Sequence, residues 1–326
     1  MGDGRSIRWG ICGTGRIAND FAAALTFVDD AELVAVASHE GTRAEQFARD
    51  HEATRHHVGY ESLAADEDVD VVYVATTQNR HVDDTLLFLG AGKHVLCEKP
   101  FALSLPDAQR MIEGAVASGR FLMEALWSRF LPSYVALKKL LDDGAIGEVL
   151  HVDANFGFRV PDEKIDGHRL FDPARGGGAL LDLGVYPVNL AHFVLGRPCS
   201  VVANGRLMEN GLDEHSNLQL AFAGGATAQL HAAIRTPCTN RGRIAGTKGT
   251  IDIDAFMHAA NRFTISIDGE QEVFDFPLAS LHFQVPEVHR CVRAGLIESS
   301  SMSHSDTLAM MGTLDSAAAQ IGIQFQ

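Results

Sequence analysis

Two rhythms of apolar and polar residues divide this chain. Up to Ala125, short apolar runs alternate with stretches whose apolar residues recur three and four positions apart. Ile7–Cys12, Glu32–Ser38, Val69–Ala75, His94–Cys97 and Phe121–Ala125 read as strands. The nearly unbroken Val and Tyr of Val69–Ala75 suit a strand covered on both faces. A helical pattern runs through Phe21, Leu25 and Phe27, another over 81–90 and a third over Leu105–Ser118. Strands and helices in turn predict a doubly wound parallel sheet of the dinucleotide-binding kind.

After Leu126 the rhythm changes. Leu126–Asp143 is helical, with Leu137, Leu140 and Leu141 at core spacing, and Gly144–Gly147 is a turn. Val149–Val160 reads as a strand with Val152, Ala154 and Phe156 on one face, followed by a polar loop over Pro161–Arg175. From Cys199 to Phe276 the pattern is alternating strands and turns, an antiparallel meander. Helices are expected over His282–Gly295 and Asp306–Ile321, the last returning to pack on the core. The expectation is two domains: a dinucleotide-binding α/β domain over 1–125, and an α+β domain over 126–326 with a large, mostly antiparallel open sheet. A sheet with one uncovered face offers a surface for a homodimer or homotetramer.

Chemistry concentrates at the ends of the predicted strands. The first strand runs directly into Gly13-Thr14-Gly15-Arg16-Ile17-Ala18, a G-x-G-x-x-A motif. Gly13 permits the turn, Gly15 lets backbone approach a pyrophosphate, and Ala18 allows close helix packing. Helix amides then face the phosphates. After the second strand come Ser38, His39 and Arg43, with no carboxylate at the strand end to repel a 2′-phosphate. That pattern favours NADP, with NAD possible because Glu40 could fill the ribose-binding role. Thr76, Thr77, Asn79 and His81 leave the carboxyl end of Val69–Ala75, where contacts to the nicotinamide half come from. His81 reads equally well as a plain helix-start residue. Lys99 follows His94–Cys97 and Glu98 into the same crevice, and Pro100 restricts how the chain leaves.

In the second half, His168, Arg169 and Asp172 make the Pro161–Arg175 loop a rim for a sugar-sized site. Gly176-Gly177-Gly178 opens a helix on which Asp182 and Tyr186 stand four apart, on one face, with Gly184 between them. The pair suits general acid–base work. A free tyrosine titrates near ~10, and a neighbouring ammonium, which Lys99 can supply, favours the phenolate. The bland alternative is a tyrosine at the end of a buried helix, bonded to backbone.

Composition narrows the classes. Among 326 residues, 46% are hydrophobic and 21% charged, as in ordinary globular proteins. A net charge of −15 disfavours nucleic acid or an anionic membrane as partner. Five scattered cysteines without a C-x-x-C pair point to reduced thiols in a cytoplasmic protein and to no structural zinc. No apolar run reads as a membrane span, and the Gly2 lipid-attachment pattern of the first six residues is set aside because an acid follows it.

Three stretches taken together resemble the Gfo/Idh/MocA oxidoreductase family: Gly13-x-Gly15-x-x-Ala18, Thr77-x-Asn79-x-x-His81, and Ala91 through Glu98-Lys99-Pro100. Met123-Glu124-Ala125-Leu126-Trp127-Ser128-Arg129-Phe130 narrows the likeness to the branch of dimeric dihydrodiol dehydrogenases, NADP-dependent D-xylose dehydrogenases and glucose-fructose oxidoreductase. Gly246–Thr250 resembles a signature of the family's second domain. Many members carry His where this chain has Tyr186 and Asp where it has Asn189. Tyrosine agrees with the dihydrodiol and xylose branch, whose catalytic lysine and tyrosine correspond to Lys99 and Tyr186.

The resemblance implies hydride transfer between NADP and a hydroxyl carbon of a sugar or diol, with D-xylose-like aldoses and trans-dihydrodiols as substrates. Catalytic candidates are Lys99, Tyr186 and Asp182. Cofactor candidates are Gly13, Thr14, Gly15, Arg16, Ile17, Ser38, His39, Arg43, Thr76, Thr77, Asn79, His81, Glu98, Lys99, Trp127 and Arg129. Phe158, Arg169 and His282 join Lys99, Asp182 and Tyr186 as substrate candidates, and no metal is expected. Three other readings stay open: a reductase of a dicarbonyl sugar such as 1,5-anhydrofructose, an enzyme like glucose-fructose oxidoreductase, and a non-enzymatic NADP sensor.

Overall fold

The computed structural model describes residues 5–325; residues 1–4, where the lipid-attachment pattern was weighed, and residue 326 lie outside the described residues. The chain divides into two compact units, residues 1–127 with 280–307, and residues 128–279 with 308–326. Residues 280–307, expected in the second domain, thus count with the first unit. There they close a sheet edge: the Leu122 amide donates to the Ile297 carbonyl at 3.0 Å, and the His304 ring meets the Leu122 carbonyl at 3.0 Å. An uncovered edge strand would leave such groups unpaired.

The first unit is built on six parallel strands: β1 (Ile7–Cys12), β2 (Ala31–Ser38), β3 (Arg55–Val58), β4 (Val71–Val74), β5 (His94–Cys97) and β6 (Leu122–Glu124). Their spatial order is β3-β2-β1-β4-β5-β6. The order reverses between β1 and β4, the place where such sheets open a crevice at their carboxyl ends. Helices α1 (Arg16–Leu25), α2 (Gly41–Asp50), α3 (Tyr60–Ala64), α4 (His81–Gly90) and α5 (Leu105–Ser118) connect the strands. Ser104 caps α5 by accepting from the Asp107 amide, and Gly119 ends it with φ +62, as a left-handed cap requires. At the amino end of β1, Trp9 Nε1 donates to His289 Nε2 at 3.0 Å, and His289 Nδ1 meets Asp30 at 3.1 Å.

The second unit holds an eight-stranded sheet in the order β14-β13-β12-β11-β7-β10-β9-β8. Its strands are β7 (Val149–Gly157), β8 (Ser200–Leu207), β9 (Asp213–Ala221), β10 (Thr227–Ala233), β11 (Gly242–Gly246), β12 (Gly249–Ile253), β13 (Arg262–Ile267) and β14 (Glu270–Asp275). The expected meander needs one correction, because β7 and β10 pair in parallel. After β7 the chain crosses over through a helix to the far edge at β8 and returns by β9, so β10 arrives beside β7 running the same way. One face is apolar, with Val152, Ala154, Phe156, Leu218, Leu220, Ala228, Leu230 and Ala232 buried. Asp153, Asn155, Asn217, Gln219, Gln229 and His231 alternate onto the other.

Helix α6 (Pro132–Asp142) is shorter than the expected 126–143, because Leu131 precedes Pro132 and is held extended at ψ 140°. Helix α7 (Val185–Leu195) follows a turn of π-helix at Leu180–Gly184. Against expectation, the stretch Pro173–Leu195 is long and apolar enough to cross a bilayer; it is mostly buried, as a core helix is. Helices α8 (Val285–Arg293) and α9 (His304–Ile321) complete the chain.

One buried side chain ties the crevice loops of the first unit together. His81 is 1% exposed; its Nδ1 lies 3.0 Å from the Pro100 carbonyl and its Nε2 3.3 Å from the Thr76 carbonyl. It therefore sits behind the loops after β4 and β5, which favours the helix-start reading over a direct cofactor contact. Burial lowers its pKa to about 4, despite the carbonyls, which favour the charged ring. The unfolded chain takes up this proton near pH ~6.5 and the folded chain only near 4. Folding stability from His81 is therefore full above that upper value and is lost as pH falls through the window. At about 1.4 kcal/mol per pH unit the loss reaches about 3 kcal/mol. Chemical denaturation of wild type and His81→Gln across pH 4–7 measures it, and the variant should show a shallower pH dependence.

Candidate active site

The glycine loop is shaped by close approach. Gly13 has φ +103, and a Cβ there would stand 2.9 Å from the Ala75 carbonyl oxygen, so only glycine fits where β1 passes β4. Gly15 differs: a Cβ would meet nothing within 4 Å. It is the residue before α1, among the described residues no side chain caps the helix there, and its first turn carries no acid. A ten-residue helix thus starts with its first amides uncapped by any described side chain and no acid in its first turn, the arrangement that accepts a phosphate. Thr14 and Ile17 flank the opening, and the Arg16 side chain is 96% exposed beside it. These residues fit a dinucleotide.

At the end of β2, Ser38 is buried and its hydroxyl accepts from the Glu40 amide at 3.2 Å. His39 is exposed and packs on Tyr60 with ring centres 4.3 Å apart. Arg43 and Glu40 are both exposed and 3.7 Å apart, so the carboxylate engages the cation. At the end of β4, Thr76 donates to Asp84 at 2.8 Å, Arg80 reaches the same carboxylate at 2.9 Å, and Thr77 donates to Asn79 at 2.7 Å. At the end of β5, Tyr73 donates to one oxygen of Glu98, and the other accepts from the Lys99 amide at 3.1 Å. Lys99 is partly exposed.

His282 lies elsewhere in this unit. Its ring packs against Phe27 at 5.5 Å, just past the carboxyl end of α1. A ten-residue helix is about 15 Å long, so the glycine loop is at the opposite end.

In the second unit, Arg169 grips Asp182 with two bonds of 3.0 and 3.1 Å. Both oxygens of the carboxylate are engaged in the forked geometry that suits guanidinium. Tyr186 is 6% exposed, and its ring packs against Phe156 at 5.7 Å and His258 at 4.5 Å. Phe158 is 38% exposed beyond β7, edge-on to Phe156. Arg129 is buried, donates from Nε to Asn189 on α7 at 2.7 Å, and lies over Phe193. Trp127 closes the first unit's main segment, one residue before the division.

The run Gly176-Gly177-Gly178 serves close packing. A Cβ on Gly177 would lie 2.6 Å from the Leu170 carbonyl, and one on Gly178 2.4 Å from Asp213 Oδ1. Asp213 was not legible in the sequence. Fully buried, it accepts from the Leu180 amide at 2.8 Å and from the Ser216 hydroxyl at 2.7 Å, capping the turn that carries Asp182. Burial pushes its carboxyl up, against the bonds from Ser216 and Leu180. Gly184 admits β10, whose Ala232 would be 3.4 Å from a Cβ.

His258 was also missed, although it touches the candidate tyrosine. Three hydroxyls hold its loop: Ser128 donates to the His258 carbonyl at 2.6 Å, Tyr134 to Met257 at 3.0 Å and Ser133 to Ala260 at 2.6 Å. Among the described residues no group of His, Cys, Asp or Glu is arranged to hold a metal.

Known proteins resemble the chain along nearly its whole length. Residues 7–126 match the oxidoreductase family with an NAD-binding Rossmann fold, and residues 134–252 match the GFO/IDH/MocA C-terminal domain. The chain is 36% identical over 334 residues to trans-1,2-dihydrobenzene-1,2-diol dehydrogenase of Danio rerio, covering 98% of each chain. The human enzyme of that name is 31% identical, with the same coverage. Among solved structures, an aldose-aldose oxidoreductase from Caulobacter crescentus superposes with a TM-score of 0.88 at 27% identity, covering 97% of each chain. A 3-ketoreductase from Actinomadura kijaniata, solved with NADP and TDP-benzene, gives 0.87 at 28% identity, covering 97% of this chain and 98% of its own. With both halves matched and relatives alike from end to end, the chain belongs to the Gfo/Idh/MocA oxidoreductase family.

Proposed function

We propose that this protein is an NADP-preferring oxidoreductase acting on a hydroxyl carbon of a sugar or a cyclic diol. The bound nicotinamide supplies the hydride acceptor or donor, and the chain supplies binding, orientation and proton transfer. The glycine loop and the start of α1 hold the pyrophosphate, with Thr14, Arg16 and Ile17 around it. Ser38, His39 and Arg43 hold the 2′-phosphate; Arg43 exchanges the exposed Glu40 for it, a pair that costs little to open. Thr76, Thr77, Asn79 and Glu98 line the nicotinamide half.

Tyr186 takes the hydroxyl proton in oxidation and returns it in reduction. One observation carries this assignment: a phenol almost withdrawn from solvent, its ring fixed between Phe156 and His258, on the turn that follows the Arg169-paired Asp182. Lys99 is the second catalytic residue, and Asp182 with Arg169 orients the substrate hydroxyls beside Phe158. The likeness to named diol dehydrogenases and to an aldose-aldose oxidoreductase supports both substrate classes. The likeness to a 3-ketoreductase supports the reverse direction, reduction of a keto sugar, on the same residues.

The uncovered face of the β7–β10 sheet is assigned to self-association as a homodimer or homotetramer, and the free thiols Cys12, Cys97, Cys199, Cys238 and Cys291 suit a reducing cytoplasm.

Three outcomes test these assignments. Tyr186→Phe should lower kcat by about 10²–10⁴-fold, the range of a lost general acid–base group, while NADPH binding followed by nucleotide fluorescence persists. Arg43→Ala should cut the preference for NADP over NAD about tenfold, read as the ratio of kcat/KM for the two cofactors. Light scattering should return two or four times the chain mass, and Gln229→Glu, a charge on the uncovered face, should shift the population toward monomer.

A further inference from the structure

We propose that Tyr73 is a positioning residue for Lys99, acting through the carboxylate of Glu98. The inference rests on the reading above that Lys99 serves the reaction, and adds a member that neither the motif nor the crevice surface reveals.

The placement follows from strand register. Tyr73 on β4 stands opposite Leu96 on β5, and the Glu98 amide donates to the Val74 carbonyl at 3.0 Å, so the pairing continues past the end of β5. Side chains two apart share a face, which puts Glu98 on the face of Leu96 and Tyr73. The Tyr73 hydroxyl donates to Glu98 Oε1 there, and Glu98 Oε2 accepts from the Lys99 amide at 3.1 Å. One carboxylate is thus held by a donor from each of two strand ends, and the second donor is the backbone of Lys99 itself.

Packing alone does not call for this hydroxyl. Tyr73 is 0% exposed, flanked by Val72 and Val74, and its ring stacks on Phe21 at 3.8 Å. Phenylalanine would fill the same space and make the same stack. A hydroxyl at this depth needs a partner, and the partner found is a carboxylate that is itself only 5% exposed. A buried acid is an expensive way to satisfy a strand residue, whereas it is an effective way to fix the backbone from which Lys99 departs. His81 holds the next residue from the other side through the Pro100 carbonyl. Lys99 therefore leaves a backbone pinned immediately before and immediately after it.

The test is removal of one oxygen. In Tyr73→Phe the ring stack survives and Glu98 loses its Tyr73 donor. Steady-state kinetics with trans-1,2-dihydrobenzene-1,2-diol and with D-xylose should show kcat down about tenfold, with KM for NADP within about twofold of wild type. Glu98→Gln should also lower kcat about tenfold. A thermal melt accompanies each variant, so that a fold defect is recognised by a fall in all parameters together. The decisive comparison is a double-mutant cycle: in a Lys99→Met background, Tyr73→Phe should change the residual rate by less than twofold, because the lysine it positions is gone. A Tyr73→Phe enzyme with wild-type kcat overturns the proposal, as does a tenfold loss that persists undiminished in the Lys99→Met background. Should Lys99→Met itself turn over like wild type, the failure lies in the assignment of Lys99 and is distinguishable on that ground.

Discussion

The first unit depends on one close contact, the passage of Gly13 against the Ala75 carbonyl. Beyond their last paired residues, β1 and β4 lie so near each other that any Cβ at position 13 would collide with backbone. Just beyond that contact α1 starts at Arg16, with no side-chain cap at Gly15 among the described residues and nothing within 4 Å of where a Cβ there would stand. The phosphate site is thus a by-product of strand adjacency: the order reverses at this pair, no crossover covers it, and the backbone must bend away. The loops after β4 and β5 are then arranged around the same gap, and their fixings are carbonyls and carboxylates buried just behind it.

Those fixings share a physical logic across both units. His81 between two carbonyls, Glu98 between Tyr73 and the Lys99 amide, and Asp213 beneath the Leu180 amide are buried polar groups in otherwise apolar surroundings. Each costs desolvation that a well-packed hydrophobe would avoid. Each also converts a flexible loop or helix start into a defined one, since removing either partner strands the other. Their positions separate them from ordinary core residues. The backbone groups they hold, the carbonyls of Thr76 and Pro100 and the amides of Lys99 and Leu180, lie within two residues of Thr76, Lys99 and Asp182, the groups to which chemistry is assigned.

How much of this was legible in the chain follows from the distances in sequence. The glycine loop, the strand–helix alternation and the Asp182–Tyr186 spacing are local patterns, and local patterns survive in one sequence. The Tyr73–Glu98 bond spans 25 positions and the Asp213–Leu180 bond 33, and neither side chain announces its partner. The hydroxyl in the apolar run Val71–Val74 was the one available signal for the former. His81 stayed undecided between a cofactor contact and a plain helix-start residue, because a helix-start histidine looks the same whether it faces out or in. The parallel β7–β10 pair was missed because alternation reports which face a residue takes and says nothing of strand direction.

The net charge of −15 sets a final constraint on how such a chain can take an anionic cofactor. Charge spread over the whole surface is screened beyond about 8 Å at physiological ionic strength, so the sum matters less than what stands within that radius. Around the glycine loop stand helix amides, Arg16 and the strand end at Ser38 without a carboxylate. Arg43 already holds Glu40, so under the proposed assignment a 2′-phosphate would displace one anion by another of higher charge and gain the difference. An exchange of this kind discriminates between dinucleotides more than it adds to affinity, since a cofactor without that phosphate leaves the Arg43–Glu40 pair undisturbed.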